Sequence, residues 1–238
     1  MNSRLYGKWG DALKSTGAFL RDIVYPEGAL CRGCGKYSDG TPLCPDCRRS
    51  LLEDGAFFAW TFTDLPSCRA YSLRLHEGLP RTLVLRLKHQ GEACLAWEMA
   101  SLVLPLPEYL SFSPDTVVTW VAMPERRRRE RGIDHSRLLA EAIAAQLNLP
   151  CRKLLNRKND RSRTQATLNA AAREANLSGV FSAACRISFP VLLVDDVLTT
   201  GTTIRRCAAA LVRAGAKEIT ALTFTKAQRS LTYKPAKQ

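Results

Sequence analysis

One stretch constrains the chain more than any other: Pro190-Val-Leu-Leu-Val-Asp195-Asp196-Val-Leu-Thr199-Thr200-Gly201-Thr202-Thr203-Ile204. The apolar run Val191–Val194 predicts a strand buried on both faces, the habit of parallel sheets covered by helices. Two carboxylates stand at its carboxyl end. A short loop of small hydroxyl residues follows, and then Cys207, Ala208 and Leu211 at the spacing of a helix's inner face. Strand, loop and helix in that order begin a parallel α/β unit. The backbone N–H groups of a helix N-terminus, with the hydroxyls of Thr199, Thr200, Thr202 and Thr203, can cradle a phosphate dianion. Gly201 lets the backbone come close to it. Asp195 and Asp196 would repel that phosphate, so they are expected to face something else. Carboxylates only accept hydrogen bonds, which suits the paired hydroxyls of a ribose. The pattern is shaped for a 5-phosphorylated ribose. It is not a Walker loop, because Gly-Lys-Thr is missing. A metal-binding carboxylate pair or a phosphoacceptor aspartate could also stand at a strand end, but the Thr-Thr-Gly-Thr-Thr loop weighs against both.

The rest of the chain supplies partners for that strand. Val117–Met123 is a second continuous apolar run, bounded by Asp115 and Pro124. Arg126, Arg127, Arg128, Arg129 and Arg131 follow it directly. They are expected in a loop at the carboxyl edge of the sheet, where ligands of open parallel sheets bind. A solvated basic loop is the alternative. Ser136–Leu147 reads as a helix with Leu138, Leu139, Ile143 and Leu147 inward. Ala70–His76 alternates like a half-buried strand, 81–89 and 93–104 read as helices, and Glu218–Lys226 as a further strand. His76 and His89 have no evident ligand partners in the sequence. The basic segment 152–176 has little apolar periodicity and is expected to be a lid over a polyanion or a plain surface loop.

The N-terminal part differs. An amphipathic helix is expected over Asp11–Tyr25, ended by Pro26. Cys31-Arg-Gly-Cys34 and Cys44-Pro-Asp-Cys47 then form two Cys-x-x-Cys pairs a short loop apart. Each pair can aim two thiolates at one point, and two pairs make a closed four-cysteine site for structural zinc. The segment has too little apolar content to fold alone, so metal would supply much of its stability. Redox dithiols or unrelated pairs are the competing reading. Cys68, Cys94, Cys151, Cys185 and Cys207 are expected as small buried hydrophobes. The expected organisation is residues 1–62 as N-terminal helix and zinc module, and 68–238 as an α/β domain with a parallel sheet flanked by helices.

Charge and cysteine usage bound the partners. The net charge is +13 and the pI about 9.6, which favours nucleic acid, phosphorylated small molecules or an anionic surface. The sequence contains no secretory signal and no run long and apolar enough to span a membrane. Nine cysteines, an odd number in a chain of this length, point to a reducing cytoplasm.

Val191–Ile204 resembles the signature of type I phosphoribosyltransferases, and nearly the whole chain resembles the ComF family of competence-associated proteins, which includes the GntX type. The matching pieces are Cys31–Cys47, Leu87-Lys-His-Gln-Gly91, Met123–Leu139, and Gln165, Arg173 and Asn176–Phe181. The chain departs from the family's usual Pro-Val-Pro-Leu at Ala122–Glu125, and from Arg-Gly-Phe-Asn-Gln at Arg131–His135. The resemblance implies a zinc module ahead of a phosphoribosyltransferase-like domain. It implies binding of phosphoribosyl pyrophosphate with Mg²⁺: Thr199–Thr203 on the 5-phosphate, Asp195 and Asp196 on the ribose hydroxyls directly or through magnesium, Arg127 and Arg128 at the pyrophosphate, and residues 157–177 as the lid. It further implies a role in DNA uptake or utilisation, either as a phosphoribosyltransferase or as a non-catalytic module that binds single-stranded DNA, with possible peripheral contact to the DNA-uptake machinery. No motif identifies an acceptor.

Overall fold

The computed structural model describes residues 30–53, 57–101, 110–157 and 180–227. In chain order these form α1 (Pro45–Glu53), β1 (Phe58–Phe62), β2 (Leu65–Leu75), α2 (Gly78–His89), α3 (Leu95–Ala100), β3 (Val117–Trp120) and α4 (Glu125–Arg131). There follow α5 (His135–Leu147), β4 (Leu155–Arg157), β5 (Phe181–Ala183), β6 (Val191–Leu198), α6 (Thr202–Arg213) and β7 (Ile219–Lys226). The expected N-terminal helix and most of the expected lid lie outside the described residues.

The main sheet has the order β1-β2-β7-β6-β3. All its neighbours run parallel except the β1–β2 hairpin at one edge. The apolar runs explain the order. Every residue of Val191–Val194 and of Val117–Trp120 is buried, so both strands need cover on two faces. Val191 and Leu193 join a core with Cys207, Ala208 and Leu211 of α6 and with Ile219 and Ala221 of β7. Leu193 is fully buried, and truncating it to Ala would cost about 2–5 kcal/mol.

Several boundaries differ from the sequence expectation. β6 runs on through Leu198 rather than stopping at Val194, because it pairs with β7 as far as Lys226. Asp195 and Asp196 therefore lie within the strand. The arginine segment after β3 is a helix, α4, rather than a loop. Glu125 pairs with Arg128 and Arg129, and Arg126 with Glu130, all at helical spacing, and Gly132 closes the helix in the left-handed region at φ 72°. The expected helix over 93–104 is the shorter α3, with residues 102–109 outside the described ones. Of the scattered cysteines, Cys68 and Cys207 are buried as expected, Cys94 and Cys151 only partly, and Cys185 is exposed.

The chain divides into two compact units at Arg49/Ser50. β1 lies within the expected N-terminal part, yet it pairs with β2 at the edge of the main sheet. Among the described residues of the first unit, the buried hydrophobic ones are Cys31, Leu43, Cys44 and Cys47, three of them cysteines. No helix of the described residues is long and apolar enough to cross a membrane.

Candidate functional site

α6 begins where β6 ends. Gly201 is its N-cap with φ 73° and is buried, while Thr199, Thr200, Thr202 and Thr203 around it are exposed. Thr200 Oγ1 lies 2.8 Å from Thr202 Oγ1, and the Thr202 N–H points at Thr200 Oγ1 across 3.4 Å. The threonines of this loop are exposed at the start of a 12-residue helix, where an anion cradle would be built. The turn between β1 and β2 supports the loop. A Cβ on Gly201 would meet Phe62 Cε1 at 3.1 Å, and Asp64 Oδ2 accepts from Arg205 Nε at 2.6 Å. Neither Phe62 nor Asp64 is marked by spacing or motif in the sequence.

The two carboxylates separate. Successive strand residues point to opposite faces, so Asp195 is in phase with Val191 and Leu193, which pack on α6. Its Oδ1 accepts from Ser136 Oγ at 3.0 Å and from the Asp196 N–H at 3.0 Å. Burial, reinforced by the neighbouring charge of Asp196, pushes Asp195 up to about 7. Asp196 is 3% exposed, and its Oδ2 lies 2.9 Å from Lys88 Nζ of α2 and 2.9 Å from His135 Nε2 of α5. Burial would raise it, but the contacts from His135 and Lys88 outweigh burial and hold it below the ordinary carboxylate range. His135 Nδ1 faces Arg131 Nη1 at 3.4 Å and accepts from it, while His135 Nε2 stands at ion-pair distance from Asp196 Oδ2 without hydrogen-bond geometry. The Asp196 carbonyl accepts from Thr225 Oγ1, which in turn meets His76 Nδ1 at 2.9 Å. The Lys88 ammonium already supplies positive charge at Asp196 Oδ2, which disfavours a divalent cation on the same oxygen. Sequence reading notes Lys88 and His135 only within segments compared with the family. Ser136 enters it only as the start of a helix, not as a partner of Asp195.

The arginines expected at the pyrophosphate sit on α4, which follows the carboxyl end of β3 and buries none of its residues. Arg128 Nη2 donates to Glu125 Oε1 at 2.6 Å, whereas Arg127 makes no ion pair among the described residues. The expected lid begins at a hairpin base: β4 and β5 pair antiparallel, with Arg157 opposite Phe181 and its guanidinium 5.1 Å from that ring's centre.

Within the first unit, the four expected thiols converge. The Sγ atoms of Cys31, Cys34, Cys44 and Cys47 all lie within 4.8 Å of one another. Tetrahedral zinc with Zn–S of about 2.3 Å places its sulfurs about 3.8 Å apart, and Cys34 Sγ stands 3.7 Å from Cys44 Sγ. The N–H groups of Gly33 and Cys44 point at Cys31 Sγ across 3.3 and 3.2 Å. Burial alone would raise the Cys31 thiol, but these amides and the Cys47 thiol lower it to about 6. Gly35 takes φ 76° to turn the first knuckle. The cluster could hold a metal such as zinc, and four protein ligands would leave it structurally closed.

Residues 134–237 match the phosphoribosyl transferase domain family. Competence protein F of Haemophilus influenzae is 27% identical over 207 residues, covering 81% of this chain and 88% of that protein. DNA utilization protein YhgH of Escherichia coli is 32% identical over 111 residues, 44% of this chain and 47% of that one, so the chain spans about half the length of that relative. Among solved structures, the glutamine phosphoribosylpyrophosphate amidotransferase from B. subtilis is 24% identical with a TM-score of 0.38, over 54% of this chain and 25% of that one.

Proposed function

We propose that this chain, a ComF-type protein by its four-cysteine cluster, its phosphoribosyl transferase domain and its likeness to Competence protein F, binds phosphoribosyl pyrophosphate at the carboxyl edge of its sheet and serves the use of incoming DNA. One observation carries the small-molecule part. β6, the acidic pair, the threonine loop around Gly201 and α6 stand in sequence, with the loop threonines exposed. Thr199–Thr203 would hold the 5-phosphate by first-turn amides and hydroxyls. Asp195, on the α6 side of β6, would accept from the ribose hydroxyls. Arg127 and Arg128 on α4 would meet the pyrophosphate. Magnesium arriving with the ligand would supply charge neutralisation to the departing group. If the site turns over, the bond from the anomeric carbon to pyrophosphate breaks as a nucleophile attacks that carbon, and stabilising the leaving charge is the protein's main task. Calorimetric titration with phosphoribosyl pyrophosphate tests the site. Binding that is lost in the Thr200→Val/Thr202→Val variant supports it, and unchanged affinity in that variant overturns it.

A second reading rests on α4. Its arginines are solvent-facing, and the chain is +13, which suits a single-stranded DNA backbone. The two readings are compatible, since one cationic surface can serve both. They part on salt: backbone tracking carries a steep salt dependence and little sequence preference.

A further inference from the structure

The Asp195–Asp196 pair does not present two equivalent carboxylates. Asp196 Oδ2 has Lys88 Nζ and His135 Nε2 each at 2.9 Å, on a side chain 5% exposed. Lys88 comes from the last turn of α2 and His135 from the first residue of α5, so two helices meet one oxygen of one strand. Lys88 is itself only 21% exposed, and His135 only 7%. Both groups crowd Oδ2 at ion-pair distance without hydrogen-bond geometry, so this buried oxygen is balanced by charge rather than by a hydrogen bond. Asp195 has its Oδ1 on Ser136 and stands in phase with the α6 face, where the threonine loop opens.

We propose that Lys88 is the built-in cation of this site: with His135 it reserves Asp196, so that Asp195 alone is offered to the sugar and the pair needs no divalent ion of its own. This deepens the sugar-phosphate reading above and rests on it for the ligand, but the charge arrangement is set by the protein's own side chains. Lys88 acts here as a positioning residue. It fixes Asp196, ties α2 to β6, and cancels a charge that would otherwise repel an incoming phosphate. Where a site lacks such a residue, a divalent cation has to supply the same neutralisation.

The test reads magnesium dependence in the full-length protein, first without and then with ribose 5-phosphate, which lacks the metal-chelating pyrophosphate. The melting temperature of the wild type and of Lys88→Arg should not respond to millimolar Mg²⁺. Lys88→Met should melt several degrees lower and regain part of the loss when Mg²⁺ enters the vacated carboxylate pair. Ribose 5-phosphate should bind the wild type equally with Mg²⁺ or EDTA, and Lys88→Met at least tenfold more weakly in EDTA than in Mg²⁺. If Lys88→Met does not fold, Lys88→Met is placed in an Asp196→Asn background, where it should cost almost nothing. A Lys88→Met protein indifferent to Mg²⁺, or equally costly in both backgrounds, overturns the proposal. Failure of the wild type to bind ribose 5-phosphate at all would overturn the ligand reading instead, while the melting series still decides the role of Lys88.

Discussion

Ser136 Oγ donates to Asp195 Oδ1 across 3.0 Å, joining the first turn of α5 to the carboxyl half of β6. That bond favours the ionised carboxylate, but burial opposes it more strongly. Burial and the adjacent Asp196 raise Asp195 from an ordinary 3.8 to about 7. The folded state therefore holds more protons at this group than the unfolded chain does between those values. Its contribution to stability is present at low pH and is lost as pH rises toward about 7. Asp195→Asn removes the penalty. It should raise the melting temperature at pH 8 by a few degrees, since about 1 kcal/mol is worth roughly 2–4 °C in a chain of this size. The gain should shrink at pH 5, and ligand binding should be lost at both. Equal melting shifts at the two pH values would contradict the assignment.

Gly201 should not tolerate a side chain. Its φ of 73° disfavours any Cβ, and that Cβ would press on Phe62 at 3.1 Å. Gly201→Ala should lose about 1–2 kcal/mol from the left-handed backbone alone. Adding Phe62→Leu should return the steric part and leave the backbone part. Urea denaturation of the single and double variants separates the two contributions. A Gly201→Ala protein as stable as the wild type would mean that the loop adopts another conformation.

The threonine loop and the cysteine knuckles were legible because each is a local pattern. Apolar runs before Asp195 and after Asp115 announced buried parallel strands, and two Cys-x-x-Cys pairs announced one cluster. The strand's own length was less legible, because pairing with β7, not the residues themselves, carries β6 to Leu198. α4 was misread although its signal was present: Glu125 three and four residues before Arg128 and Arg129, and Arg126 four before Glu130, are helix pairs. The arrest of Asp196 by Lys88 was not legible. Its partners come from two other helices, and only the packing of α2 and α5 on the sheet brings them to one oxygen.

The cysteine cluster should bind close to one zinc per chain. In Cys34→Ser the metal should leave or bind far more weakly, because a hydroxyl is a poor substitute for a thiolate. The first unit should then lose its ordered near-ultraviolet signals while the sheet of the second unit stays folded. Metal analysis with circular dichroism checks both halves, and full zinc content in Cys34→Ser would refute the ligand set.

The last prediction concerns α4, where the ion pairs rank the arginines. Arg128 and Arg129 are both drawn to Glu125, at 2.6 and 3.4 Å, whereas Arg127 has no such partner among the described residues. If the helix tracks a nucleic-acid backbone, Arg127 is the readiest contact. Arg127→Ala should then lower single-stranded DNA affinity uniformly across sequences and reduce the salt slope by about one unit per lost phosphate contact. Arg128→Ala should do less, because its guanidinium is partly spent on Glu125. Glu125→Gln should tighten binding by releasing two arginines, an effect that fades at high salt as the Coulomb term is screened. Titrations at two salt concentrations measure all three. An unchanged slope in Arg127→Ala, together with no gain in Glu125→Gln, would remove α4 from any DNA-binding account and leave its arginines to the pyrophosphate alone.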